Sequence, residues 1–264
     1  IALAAPLSAL ARDARANAGL HPTGAGAANA PFTLDLSQRG DFVAQTNFVQ
    51  CVGASMQMML NMIRPTDDVT SDTQSELQVL ARALSAKRTD RPERKGASVT
   101  GWTAGLNALG AGPYRTVGAT DIQASLKLAA RAMRETNRPV GLLMWRGRHA
   151  WVMAGFTATA DPRVTSRFEV TGVIVMDPLY PYGSRTWGAS PVPRESLSVE
   201  ELAQQFVPRG SRGEVPGGGT TVAPNAGAPA YGATTGWSQA LSGKYVIVMP
   251  FMHVDAPRVG PAPR

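Results

Sequence analysis

The spacing of the apolar residues changes near Asn137, and that change limits the folds open to this chain. Before it the period is helical. Cys51 opens an apolar run through Val52, Ala54, Met56, Met58, Met59, Met62 and Ile63, which Arg64-Pro65 closes, because a proline disfavours helix in the residue before it. Leu77, Leu80, Ala81 and Leu84 form the i, i+3, i+4, i+7 stripe of a helix over 71–86. Ser71 with Gln74, or Thr73 with Glu76, fits a capping box at its start. Thr100 and Gly110 frame a short helix over 100–109, with Trp102, Leu106 and Leu109 inward. Thr120 caps a longer one over 121–137, whose buried face is Ile122, Leu126, Ala129, Ala130 and Met133.

From Pro139 the apolar runs are short and bounded by turn residues. Residues 139–145, 149–160 and 168–178 read as three strands of an antiparallel meander. A Ser198–Glu201 capping box starts a helix over 196–207, and 244–250 is one more strand. Residues 31–42 alternate weakly at Phe32, Leu34 and Leu36, as a short strand or an extended arm would. Helices first and an antiparallel sheet afterwards predict an α+β domain rather than an alternating βαβ one.

A length of 264 residues suits one domain with extensions. Residues 31–254 form that domain, with 208–236 a long Gly/Pro-rich surface loop and 255–264 a tail. Residues 1–30 are an Ala/Gly-rich leader. Its opening IALAAPLSALARDARA reads either as the tail of a secretory signal, with A-x-A at Ala9/Ala11 or Ala14/Ala16, or as an unstructured arm. The first reading places the protein outside the cytoplasm. No segment reaches transmembrane length.

Net charge is +7, but the excess is scattered, and the densest basic run, 87–95, is broken by acids and a proline. A nucleic-acid face would interleave aromatics with its cations, and only Trp102 and Tyr114 lie near. No nucleic-acid partner is expected. A single cysteine excludes an internal disulfide, and His21, His149 and His253 make no cluster at metal-ligand spacing.

The chemistry centres on Cys51. At a helix N-terminus, unpaired N–H groups and the helix dipole favour an anion such as a thiolate. A thiol needs a base, and the base needs an orienting group. His149 begins a strand just after a glycine-containing turn; His253 is the competing base, with only Asp255 nearby, and His21 lies in the leader. Asp177 ends a strand that Pro178 stops. In a meander the start of 149–160 lies beside the end of 168–178, so His149 and Asp177 can be neighbours. Gln45, six residues before Cys51, offers an amide donor. With the Cys51 N–H it would serve the oxyanion that thiol attack creates.

Gln45, CVGAS at the helix start, NRPVGLLMW, GRHAWVMAGF and VMDPLYPYG occur in that order. This order resembles the papain-like cysteine peptidases, closest to the bacteriocin-processing, double-glycine branch and its standalone secreted relatives. The segment SLSVEELAQQF is similar to that family's helix after the DP strand end. The resemblance covers about 31–250. It implies a nucleophile helix packed on an antiparallel sheet, with Cys51 as nucleophile, His149 as base, Asp177 as orienter and Gln45 as oxyanion donor. It implies a peptide or protein substrate and no cofactor. Val52 stands where the family carries glycine, and Arg148 separates Gly147 from His149. Two other readings fit the same residues: a papain-like binding domain without turnover, and a thiol amidase or transglutaminase-like acyl transferase.

Overall fold

A computed structural model describes residues 30–64, 66–85, 96–210 and 240–252. The leader with His21, the basic run, most of the 208–236 loop, and the tail with His253 lie outside the described residues.

The helical half forms where the apolar stripes predict it: α1 over Cys51–Ile63, α2 over Ser71–Ala83, α3 over Val99–Ala108 and α4 over Ile122–Thr136. Three starts differ from the sequence reading. Thr70 precedes α2 without a side-chain cap, Ser98 rather than Thr100 caps α3 by accepting from the Gly101 N–H, and Asp121 rather than Thr120 caps α4. In each case the helix opens on the residue whose backbone is extended just before the first turn, which is what a cap requires.

The sheet contains β1 (Phe32–Asp35), β2 (Tyr114–Ala119), β3 (Val140–Met144), β4 (His149–Ala158) and β5 (Val170–Met176). A small hairpin follows, β6 (Gly183–Ser184) with β7 (Gly188–Ala189), and then β8 (Glu195–Ser198) and β9 (Tyr245–Pro250). The main order is β2-β9-β3-β4-β5-β8, with β1 also on β4, and every pairing is antiparallel. Two of these strands were not expected: β2, which pairs with the distant β9, and β8, where a helix start was read. The Ser198–Glu201 capping box is present, and it opens a shorter helix, α5 (Val199–Ala203). The architecture is α+β.

Strand alternation divides the interior in two. Ala150, Val152 and Ala154 of β4, with Ile174 and Met176 of β5, pack with α1, α2 and α3. Trp151 and Met153, with Val173 and Val175, pack against α4 and around Leu202 and Phe206. The sheet therefore lies between two helical layers. Helix α1 is the most enclosed helix, with Val52, Ala54, Met56, Met58 and Met59 all buried. Burying each of these valine and methionine side chains contributes about 1.5–3 kcal/mol. Val52 fills core space, and Gly53 makes the close approach instead: a Cβ there would meet the Gln74 carbonyl oxygen at 2.6 Å.

Candidate active site

Cys51 is the first residue of α1 and is half-buried at the edge of the core. The residue before it gives no side-chain cap. Two glutamines one turn apart on α2 hold this helix start instead. Gln78 accepts from the Gly53 N–H at 3.0 Å and donates to Val49 O at 2.9 Å. Gln74 accepts from the Thr46 N–H at 2.8 Å and donates to Ala44 O at 2.9 Å. Both are buried, and together they clamp the segment that carries Gln45 and Cys51. Sequence reasoning missed them. The signal was available: positions 74, 78 and 81 continue one helical face, and amides on a buried face need partners.

One turn after Cys51, the fully buried Ser55 donates to Ala150 O at 3.2 Å. Ala150 follows His149, so this bond registers α1 against β4.

His149 begins β4 and is 4% exposed. Its Nε2 lies 2.6 Å from Asp177 Oδ1. Asp177 is fully buried just past the end of β5, and it also accepts from the Leu179 N–H at 2.8 Å and from the Ser190 hydroxyl at 2.5 Å. The β4–β5 ladder, with Val152 opposite Met176, sets His149 and Asp177 side by side as the meander predicts. With Nε2 held by the carboxylate, Nδ1 is the ring nitrogen left for the thiol. Cys51 lies close enough to the ring to favour its charged form. Burial disfavours the charged imidazole, but the Asp177 hydrogen bond and the Cys51 contact outweigh it and push the His149 pKa up to about 9.

Trp145 stacks on the His149 ring, with centroids 4.1 Å and planes 21° apart. It is the first of three left-handed residues, Trp145, Arg146 and Gly147 (φ 55, 56 and 90°). Only the last is a glycine, so the turn before His149 carries local strain.

The structure brings Cys51, His149 and Asp177 together. Gln45 is tied to the same corner through its backbone, which donates to Pro178 O at 2.7 Å. Its side-chain amide donates to Asn47 O at 2.9 Å, and its Oε1 is buried without a partner. No hydrogen bond joins Gln45 to Cys51 or His149 among the described residues. A depression of about 520 Å³, lined by Arg146, Trp187, Arg209 and Gly243 among others, borders the Trp145 turn, but none of Cys51, His149 and Asp177 lines it. Among the described residues no group of His, Cys, Asp and Glu is placed to hold a metal ion, and no helix is long and apolar enough to cross a membrane. No family model, curated protein or solved structure matches the chain.

Proposed function

We propose that this chain is a cysteine peptidase of papain-like architecture. The observation that carries the reading is the row formed by a buried carboxylate, a buried imidazole 2.6 Å from it, and a half-buried thiol at a helix start. Each member has the environment its role requires. Asp177 is fully desolvated and accepts three hydrogen bonds, so it remains a fixed acceptor. His149 favours its charged form, which complements a thiolate. Cys51 is reachable from solvent.

The Cys51 sulfur attacks a peptide carbonyl carbon and the carbonyl electron pair moves to oxygen. The Cys51 N–H, at a helix terminus where N–H groups lack intrahelical partners, faces that oxyanion. Gln45 supplies a second donor through the N–H that Asn47 does not engage. The C–N bond then breaks, and the leaving amine takes its proton from His149. A water molecule, losing a proton to His149, attacks the thioester and releases the acid, restoring thiolate and imidazolium. The substrate is a peptide or protein and the reaction needs no cofactor. The Ala-rich opening of the chain is consistent with action outside the cytoplasm.

The test is cleavage of a mixed peptide library, read by mass spectrometry. Wild type cleaves, and Cys51→Ala and His149→Ala each lose about 10³-fold or more while keeping the wild-type circular dichroism. Cleavage that survives both substitutions contradicts the assignment. Capture of peptides without cleavage points to a binding domain, and transfer to an added amine in place of water points to an acyl transferase.

A further inference from the structure

One circuit of contacts beyond the Cys51–His149–Asp177 row meets the imidazole twice, at one face and, through Asp177, at Nε2. Trp145, stacked on the ring, donates its indole N–H to Gln205 Oε1 at 2.9 Å and its backbone N–H to Gln205 O at 3.1 Å. The other end of that amide donates to Ala189 O at 3.0 Å. The next residue is Ser190, whose hydroxyl reaches Asp177 Oδ2 at 2.5 Å. The circuit closes through Asp177 and His149. Gln205 is itself anchored, by its N–H to Leu202 O at 3.0 Å and by its neighbour Phe206, which is fully buried.

The circuit also accounts for the backbone. A tryptophan at φ 55 followed by an arginine at φ 56 occupies a region that non-glycine residues leave unless the surroundings hold them. Two bonds that Trp145 donates to Gln205 help to supply that hold, beside the Arg148 N–H on Trp145 O at 3.2 Å and the Gly210 N–H on Arg146 O at 3.3 Å.

We propose that Gln205 is a positioning residue of this site: it fixes the Trp145 indole over His149 and, through Ala189, the Ser190 hydroxyl against Asp177. The proposal rests on the reading of Cys51 and His149 as nucleophile and base. An indole face against an imidazolium favours the charged ring, and a carboxylate locked by a second donor keeps its aim. Removing the amide relaxes both supports, so the thiolate–imidazolium pair loses ground to the neutral thiol and imidazole, and less thiolate persists below the pH at which a free thiol ionises. The titratable groups facing the ring are Cys51 from α1 and Asp177 from the end of β5. Arg146 and Arg148, in the preceding turn, are exposed.

Because Cys51 is the sole cysteine, its alkylation by iodoacetamide reads this effect directly, whatever the substrate. Rates are measured from about pH 5 to about pH 10 for wild type, Gln205→Met, Trp145→Phe and His149→Ala. Gln205→Met keeps the length of the side chain without its amide, and Trp145→Phe keeps a ring without the indole N–H. At about pH 6 both react about three- to tenfold more slowly than wild type. At about pH 10, where a thiolate forms without an imidazolium, they match it. A residue that only stabilises the fold lowers the melting temperature and leaves the shape of the profile unchanged. A folded Gln205→Met whose profile superimposes on wild type overturns the proposal; should that variant not fold, Trp145→Phe decides by the same criterion. The His149→Ala arm separates the two levels. If wild type lacks a low-pH limb that depends on His149, the peptidase reading fails and Gln205 falls with it. If that limb exists and neither variant moves it, only the Gln205 proposal fails.

Discussion

The two halves of the site are held by different physics. The Cys51 half is a regular helix start fastened by neutral amides, Gln74 and Gln78, over a methionine-rich core. The His149 half sits at a strand end, behind a left-handed turn, and is fastened by a buried carboxylate. Neutral hydrogen bonds contribute modestly and do not respond to pH, whereas a buried charged acceptor is costly to disturb and its partner titrates. The lesson is a division of labour: the Cys51 half fixes position, and the His149 half fixes charge.

The largest expected effect comes from breaking the charged half. Asp177→Ala leaves the His149 ring, the Leu179 N–H and the Ser190 hydroxyl without their shared acceptor and lowers stability by about 3–5 kcal/mol, measured by urea unfolding at neutral pH. A loss under about 1 kcal/mol would mean that this corner is wetter than its burial implies.

The next effect is in pH. The His149 pKa in the folded chain, about 9, lies above its ordinary 6.5, so the folded state keeps this proton longer than the unfolded one. Stabilisation from the group is full below about pH 6.5 and is lost as pH rises toward about 9. Wild-type urea midpoints should therefore fall across that window, and Asp177→Ala should flatten the fall. A fall that persists in His149→Gln assigns the slope elsewhere.

On the neutral side, Gln78→Ala strands the Gly53 N–H and the Val49 carbonyl and costs about 1–3 kcal/mol. The loss should be the same at about pH 6 and pH 9, which is the sharpest contrast with Asp177. A pH-dependent loss here would dissolve the distinction between the halves.

The smallest effect belongs to the bond that joins them. Ser55→Ala removes the hydroxyl on Ala150 O at about 0.5–1.5 kcal/mol. Because that bond sets the register of α1 on β4, the proposed peptidase activity should fall in the variant by more than its stability loss alone accounts for, read as peptide turnover at a temperature where the variant is fully folded.

How much of this was legible depended on distance along the chain. Helix α1 and the β3–β4–β5 meander follow from local apolar period, and the meander alone is enough to set His149 beside Asp177. Strand β2 was not legible, because YRTVGA has little alternation and its partner β9 lies beyond more than a hundred residues. Strand β8 was hidden by the capping residues that end it. Trp145, Ser190 and Gln205 carry no periodic signature, and only the folded chain gives them neighbours. Gln45 was legible as an amide ahead of the nucleophile, but not its bond to Asn47 O, which depends on the path of the intervening loop.

The most direct test of the central claim, that Cys51, His149 and Asp177 act as one charge-coupled unit, is a titration of the His149 ring by ¹⁵N NMR. His149→Gln identifies its signal among the three histidines. The account predicts a ring still protonated well above pH 6.5, losing its proton near pH 9, with the midpoint moving down in both Cys51→Ala and Asp177→Asn. A ring that titrates near 6.5 and ignores both substitutions would contradict it.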